Sequence, residues 1–105
     1  MRYSGYMGIR SFRNKATEDI NYGRTTKAAL KLLPKLLHRK AQLKLARLNS
    51  ASSLQDLKEL RGNRFESLRG DRAGQYSIRI NNQYRVCFRW EEEYVDDVEI
   101  VDYHC

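Results

Sequence analysis

The chain is 105 residues long and carries a formal net charge of +7 at neutral pH. This length fits one domain with one modest core, and a content of 41% hydrophobic and 31% charged residues is typical of soluble globular proteins. No apolar run approaches the roughly 18 residues of a membrane span, and the N-terminus lacks the apolar core of a secretory signal. We therefore expect a single domain over residues 1–105, cytoplasmic and without membrane contact, in which residues 1–6 form an extension that could be disordered.

Positive charge is concentrated in residues 1–90, which hold all 20 lysine and arginine residues but only six of the 13 acidic residues. A positive field of this kind attracts polyanions, and nucleic acid is the commonest polyanionic partner of a small basic domain. The alternative is a basic surface that only keeps the protein in solution. The acidic stretch from Glu91 to Glu99 either meets basic residues of a protein partner or balances the chain's own charge.

Cysteine and histidine do not form a metal-binding pattern. Cys87 lies in a predicted strand, Cys105 is the last residue, and the two histidines, His38 and His104, are far apart in sequence. Structural zinc sites usually bring four such ligands together at short spacings. The sequence therefore predicts free thiols, no metal and no cofactor.

The first half of the chain predicts a short strand followed by helices. Residues 8–12 alternate as a strand does, whereas residues 14–23 are polar and predict a connector with a short helical turn. A firm helix is predicted over residues 34–48, after a looser lead-in, because apolar residues share one helical stripe. That stripe consists of Leu33, Leu37, Ala41, Leu45 and Leu48. Ser52 and Gln55 resemble a capping box and predict a second helix over residues 53–60.

After Gly62 the apolar pattern changes from a helical period to simple alternation, which predicts strands over residues 65–69, 76–80, 84–90 and 94–103. One face of the two middle strands is apolar and must lie on the helices; it carries Tyr76, Ile78, Ile80, Tyr84, Val86, Phe88 and Trp90. We predict an α+β fold with a short N-terminal strand and a two-helix hairpin packed on one face of a small antiparallel sheet. The other face is expected to be open, basic and slightly concave.

The open face gathers residue types that could cut RNA. Cleavage by the RNA's own 2′-hydroxyl needs a base near that hydroxyl, positive charge around the phosphorane and an acid at the leaving 5′-oxygen. Arginine suits the second role and histidine the other two. The candidates are Arg69, Arg79, Arg85 and Arg89, followed by the C-terminal run Asp102, Tyr103 and His104. Taken singly, each arginine could equally be a solvated strand residue, and the C-terminal run could be a frayed tail.

The segments GNRFESLRGDRAGQYSIRINNQYRVCFRW and DDVEIVDYH, with IRSFRNKATEDI near the start, resemble the HigB group of RelE/ParE-superfamily toxins. The resemblance implies a RelE/ParE-like fold and a toxin of a type II toxin–antitoxin system. Such toxins enter the ribosome and cleave mRNA during translation without a metal. The resemblance also implies a partner, the helix-turn-helix antitoxin HigA, besides the ribosome and mRNA.

The resemblance assigns roles to matching residues. Arg69 and Arg85 would hold and neutralise the scissile phosphate, Asp102 and His104 would assist proton transfer, and Tyr103 would contact the nucleotide. Further contacts to RNA are expected from Arg72, Arg79 and Arg89. Some family members have lysine where this chain has Arg69, and a guanidinium is a poorer proton donor than an ammonium. Whether Arg69 acts as an acid or only as a phosphate clamp therefore stays open.

Two other functions are compatible with the sequence. The ParE branch shares the fold but poisons gyrase and does not cut RNA; the His104 terminus and the Arg69/Arg85 pair favour the nuclease branch. A non-catalytic basic RNA-binding module is the other alternative, in which Tyr3, Tyr6 and Tyr22 could stack on bases.

Overall fold

A computed structural model describes residues 8–103 and contains a five-stranded sheet. Its strands are β1 (Gly8–Ile9), β2 (Glu66–Ser67), β3 (Tyr76–Arg79), β4 (Tyr84–Glu91) and β5 (Tyr94–Asp102), in the order β1-β5-β4-β3-β2. Neighbouring strands are antiparallel except β1, which runs parallel to β5. The sheet is therefore mixed, whereas the sequence predicted a wholly antiparallel one. Any extension formed by residues 1–6 lies outside the described residues.

The helical layer contains α1 (Lys15–Asn21), α2 (Lys27–Leu32), α3 (His38–Ser50) and α4 (Leu54–Lys58), with 3₁₀ turns at Lys35–Leu37, Arg61–Asn63 and Gly70–Arg72. The predicted connector over residues 14–23 is in fact a helix, because the Asn14 side chain accepts a hydrogen bond from the Thr17 amide at 2.8 Å and caps its first turn. No helix in the described part of the chain is long and apolar enough to cross a membrane.

The two predicted helices are present but start and end at different residues. The first begins later than expected, since the backbone at Pro34 is extended and a 3₁₀ turn follows it. The second is shorter, and its N-cap is Ser53 rather than Ser52; the Ser53 hydroxyl accepts from the Asp56 amide at 3.3 Å. α1 packs against α2 and α3, so the two-helix hairpin of the prediction becomes a layer of four helices in residues 8–103.

One hydrophobic core joins the helices to one face of the sheet, as the alternation predicted. The α3 stripe and the apolar faces of β3, β4 and β5 form it, around fully buried Phe88, Val86 and Ile78. Two predicted core residues are less buried than expected. Leu37, just before α3, is only partly buried, and Leu60 is 40% exposed because α4 ends before it. Since the helices cover this face, the alternate side chains of the same strands lie on the other face of the sheet.

Three acids of β5 pair with arginines of the same chain. The carboxylate of Asp96 accepts from Arg10 at 2.9 and 2.6 Å, which ties β5 to the segment after β1. The other two pairs are Arg89 with Asp97 at 3.4 Å and Arg72 with Glu99 at 3.2 Å. These three acids therefore balance the chain's own charge.

A buried carboxylate holds α1 to the start of α2. Asp19 accepts hydrogen bonds from Thr26 at 2.7 Å, Lys15 at 2.9 Å and Arg24 at 3.1 Å, and its side chain is 1% exposed. The bonds from Lys15, Thr26 and Arg24 lower the pKa of Asp19 from 3.8 to about 2, against the opposing effect of burial. The charged form is thus the one that the fold stabilises.

This pKa predicts an acid-sensitive contribution to stability. Because the folded pKa lies below the unfolded one, the contribution is complete above about pH 4 and is lost as the pH falls toward 2. We expect Asp19→Asn to reduce the free energy of unfolding at pH 7 and to flatten its decline between pH 4 and pH 2, as measured by urea unfolding. Parallel stability curves for the two proteins in that window would contradict this account.

Candidate active site

Arg85 lies in β4, the middle strand of the sheet, on the face away from the helices, and only 7% of its surface is exposed. Its Nε donates to the Ser77 hydroxyl at 2.8 Å, and one Nη donates to the carbonyls of Arg64 and Ser77. The ring centroid of Tyr103 lies 5.5 Å from the guanidinium carbon. In the part of the chain that the structure describes, no carboxylate forms an ion pair with Arg85. The guanidinium is therefore held by neutral acceptors, and no described acid balances its charge.

A second arginine stands directly opposite Arg85. Arg79 of β3 is its cross-strand partner, so both side chains project from the same face of the sheet. The Arg79 guanidinium donates to the side chain of Asn82 and forms no ion pair with a described residue. Like charges directly opposite each other in a sheet are destabilising. Two such cations without an acid between them favour binding of an anion there.

These arginines border a groove made of two adjoining concavities, the larger of about 370 Å³. Glu66 and Tyr103 line both concavities. Leu68, Arg69, Asp71 and Arg72 are among the residues on one side, and Arg64, Arg79 and Arg85 are among those on the other. A nucleotide phosphate in this groove would meet cations from two directions.

Glu66 and Arg64 both line the groove, and the sequence analysis named neither as a site residue. Glu66 lies in β2 opposite Ser77, and its Oε1 accepts a hydrogen bond from the Tyr103 hydroxyl at 3.4 Å. Its exposed carboxylate can accept a proton, which the surrounding arginines cannot do. The alternation in residues 65–69 predicted the wrong face for Glu66, opposite to Arg69. β2 in fact ends at Ser67, before Arg69, and the pairing of Glu66 with Ser77 places Glu66 on the groove face.

The other predicted site residues fall into two groups. Arg69 is exposed at the start of the Gly70–Arg72 turn and lines the groove, with no side-chain hydrogen bond to a described residue. Arg72 and Arg89 are held by Glu99 and Asp97, so their charges are partly balanced. Their roles in RNA binding stay predictions.

The C-terminal residues are only partly described. The Tyr103 amide donates to the Gln83 carbonyl at 2.6 Å, which fixes its ring beside Arg85. Asp102 is exposed at the end of β5, where its carboxylate accepts from the Gln83 side chain at 3.1 Å. His104 lies outside the described residues, as do Tyr3, Tyr6 and Cys105. Tyr22 is 61% exposed but is not among the residues that line the groove.

Cys87 is a free thiol buried in the sheet beneath the groove face. Burial is the main cause that raises its pKa; nearby Glu99 and Glu66 raise it further, while Arg72 and Arg85 oppose them. A raised pKa and full burial make this thiol a poor nucleophile. Within residues 8–103, no group of three or more His, Cys, Asp or Glu side chains is arranged to hold a metal.

Comparison with known proteins identifies the family. A model of the RelE-like toxins of type II toxin–antitoxin systems, HigB, matches residues 10–104. Toxin HigB-1 of Vibrio cholerae is 40% identical over 73 residues, which are 70% of this chain and 73% of that protein. The chain belongs to the HigB-like family of RelE-like toxins. It is therefore a toxin of a toxin–antitoxin system, and cleavage of translated mRNA on the ribosome fits this family, whose members are in general endoribonucleases.

Solved structures give the same fold at low sequence identity. The YoeB–YefM complex from Staphylococcus aureus is 18% identical with a TM-score of 0.50, and the alignment covers 92% of this chain and 98% of that chain. A YoeB/ParE toxin from Agrobacterium tumefaciens is 14% identical with a TM-score of 0.50, covering 91% and 100%. The predicted α+β fold of the RelE/ParE type is thus confirmed.

The uncompensated charge of Arg85 predicts that inorganic phosphate stabilises the folded toxin. At about ten times its Kd, a ligand of the folded state adds about 1.4 kcal/mol to the free energy of unfolding. We expect Tm to rise more in phosphate than in chloride at equal ionic strength, and Arg85→Gln to reduce that rise. Arg89→Gln is the matched control, because Arg89 is already paired with Asp97. Equal rises in wild type and Arg85→Gln would contradict the assignment of an anion site.

Proposed function

We propose that this toxin cleaves mRNA on the translating ribosome by a metal-independent transfer reaction, in which the RNA 2′-hydroxyl attacks the adjacent phosphate. The observation that carries the proposal is the nearly buried Arg85 guanidinium, held by neutral acceptors opposite Arg79. A positive charge that is already in place before the reaction can stabilise a developing phosphorane without first having to move. Arg85 and Arg69 are proposed to contact the scissile phosphate, with Arg79 on the adjoining nucleotide.

Glu66 is proposed as the base that removes the 2′-hydroxyl proton. Its carboxylate lies on the border between the two concavities, where the ribose next to a bound phosphate would lie. Tyr103, which contacts Glu66 and Arg85, is proposed to support the nucleotide. His104 follows Tyr103 in sequence and is proposed to protonate the leaving 5′-oxygen, with Asp102 assisting.

Metal independence is proposed because the groove's own cations can supply the charge that a divalent ion would contribute. Arg69, Arg79 and Arg85 have no ion pair with any described acid, so they are available to phosphate oxygens. Guanidinium groups can grip two such oxygens at once. The resulting fragments would carry a 2′,3′-cyclic phosphate and a 5′-hydroxyl.

A basic surface beside the groove supports the proposed ribosome contact. Besides Arg61 and Arg64, it includes Lys40, Lys44 and Arg47 of α3, and none of these residues is in an ion pair with a described acid. Burial, and then the charges of Arg47, Lys40 and Arg79, lower the pKa of Lys44. Mutual repulsion among cations is relieved by a polyanion such as ribosomal RNA. Action on ribosomes implies a cytoplasmic protein.

The proposed antitoxin is a HigA-like helix-turn-helix protein that neutralises this toxin. The family is that of toxins from toxin–antitoxin systems, and a structural neighbour is a YoeB–YefM complex, which is a toxin–antitoxin complex. The resemblance to the HigB group specifies HigA among antitoxins. Co-purification of the toxin with the product of the adjacent gene would test this partner.

Metal independence is directly testable. We expect the purified toxin, added to ribosomes programmed with a defined mRNA, to cleave that mRNA equally after the toxin is treated with EDTA and returned to buffer with only ribosomal magnesium. Mapping of the cut should give 5′-hydroxyl ends within the translated frame. Cleavage that returns only when zinc or manganese is supplied to the toxin would overturn this part of the proposal.

Removal of the proposed base should slow the reaction without unfolding the toxin. Because a general base contributes about 10²–10⁴-fold, we expect Glu66→Gln to lower kcat by about 10²-fold or more while Tm changes little. In cells, we expect Arg85→Ala and His104→Ala each to abolish the growth arrest that follows induction of the wild-type toxin. Glu93→Gln, an exposed acid in the β4–β5 turn, is the matched control and should behave as wild type. Arrest with intact transcripts and blocked DNA replication would instead indicate gyrase as the target.

A further inference from the structure

Three non-glycine residues within residues 8–103 have left-handed backbone conformations: Arg64, Glu92 and Asp97. Sheet geometry explains two of them. Glu92 lies in the tight turn between β4 and β5, and Asp97 lies at the β-bulge where the β4–β5 register shifts between Cys87 and Arg89. Arg64 lies in neither kind of structure. A left-handed conformation is disfavoured for arginine and is retained where surrounding contacts demand it.

The left-handed conformation at Arg64 directs its carbonyl toward the active groove. Arg64 follows the 3₁₀ turn Arg61–Asn63 with φ 46° and ψ 52°, and its amide donates to the Arg61 carbonyl at 3.1 Å. Its own carbonyl accepts from an Nη of Arg85. The backbone reversal at Arg64 thus supplies one of the neutral acceptors that hold the guanidinium.

The turn before Arg64 is anchored in the helical layer. Asn63 is fully buried, and its side-chain amide donates to the Leu57 carbonyl at 3.0 Å. Its side-chain oxygen accepts from the Lys44 ammonium at 2.8 Å. Contacts to α3 and α4 therefore fix the turn on one side, while the Arg64 carbonyl meets Arg85 on the other.

We propose that Arg64 is a positioning residue whose left-handed backbone fixes the direction of the Arg85 guanidinium. The inference rests on the proposed function, in which Arg85 neutralises the scissile phosphate. Position 64 then acts on turnover through backbone conformation, whereas the Arg64 side chain, which also lines the groove, acts on substrate binding. A right-handed or extended backbone at this position would turn the carbonyl away from Arg85.

Variants that share the loss of the Arg64 side-chain charge but differ in backbone preference separate the two effects. Arg64→Gly and Arg64→Asn accept the left-handed conformation, whereas Arg64→Val disfavours it strongly and Arg64→Ala to a smaller degree. All four remove the guanidinium, so a common rise in KM is expected. We expect the Gly and Asn variants to share one kcat value and the Val variant to fall at least about tenfold below it, with Ala between them.

A matched pair at another left-handed position controls for general destabilisation. Glu92 also has a left-handed backbone, which Gly accepts and Val disfavours, but it lies in the β4–β5 turn. We expect Glu92→Gly and Glu92→Val to differ in Tm but not in kcat. If Arg64→Val does not fold, comparison of Arg64→Ala with Arg64→Gly serves the same purpose. The inference would be overturned if folded Arg64 variants that accept the left-handed backbone and folded variants that disfavour it had equal kcat values.

A readout that does not need cleavage keeps this inference distinct from the proposed function. Hydrogen exchange of the Arg85 Nη–H groups, one of which donates to the Arg64 carbonyl, should be faster in Arg64→Val or Arg64→Ala than in Arg64→Gly when followed by ¹⁵N NMR. If wild type does not cleave RNA but the exchange rates differ in this way, the proposed function fails and the positioning role stands. If cleavage is normal and the exchange rates and kcat values are alike, the positioning role fails alone.

Discussion

The fold around the groove depends on keeping one cation, Arg85, out of water without neutralising it. Removal of an ion from water costs several kcal/mol, and a buried carboxylate partner is the usual compensation. Here the compensation comes from the Ser77 hydroxyl, two backbone carbonyls and the face of the Tyr103 ring. The hydroxyl and the carbonyls accept hydrogen bonds from Nε and one Nη, but these groups do not neutralise the charge. The strands, the turn before β2 and the C-terminal segment must therefore all converge on one side chain, and the charge remains available to a ligand.

The positions of the acids determine which cations near Arg85 are balanced and which are not. Asp96, Asp97 and Glu99 of β5 are each paired with an arginine of the same chain. Of the cations bordering the groove, Arg72 is paired with Glu99. The others, Arg64, Arg69, Arg79 and Arg85, and the cations on α3 form no ion pair with a described acid. Internal pairing thus engages three of the seven acids in residues 91–105, while Arg69, Arg79 and Arg85 set a positive field at the groove. Such a field speeds association with RNA and makes it sensitive to salt.

The sequence predicted what periodicity determines and missed what single contacts determine. Alternation in β3 and β4 correctly put Val86 and Phe88 in the core and Arg85 on the opposite face, because a strand repeats every two residues. The helix α1 was missed since its stability comes from the Asn14 cap and the buried Asp19, which a polar segment does not reveal. Glu66 was missed for a related reason: its proposed role depends on a long-range contact with Tyr103, 37 residues away, which strand alternation does not reveal. The parallel pairing of β1 with β5 likewise joins the two ends of the chain.

The groove combines a fixed cation with proton-handling groups that have more freedom. Arg85 stands in a strand bonded on both sides, so its position is set by the rigid centre of the sheet. Glu66 lies in a two-residue edge strand, and Tyr103 follows the end of β5, where fewer contacts restrain the backbone. Their hydrogen bond is 3.4 Å long, well beyond the usual distance of about 2.7–2.8 Å between two such oxygens. A weak bond is readily exchanged for one from an incoming ribose hydroxyl. In the proposed reaction, the fold would hold the phosphate-binding Arg85 firmly and leave the Glu66 carboxylate able to adjust to the proton that it would remove.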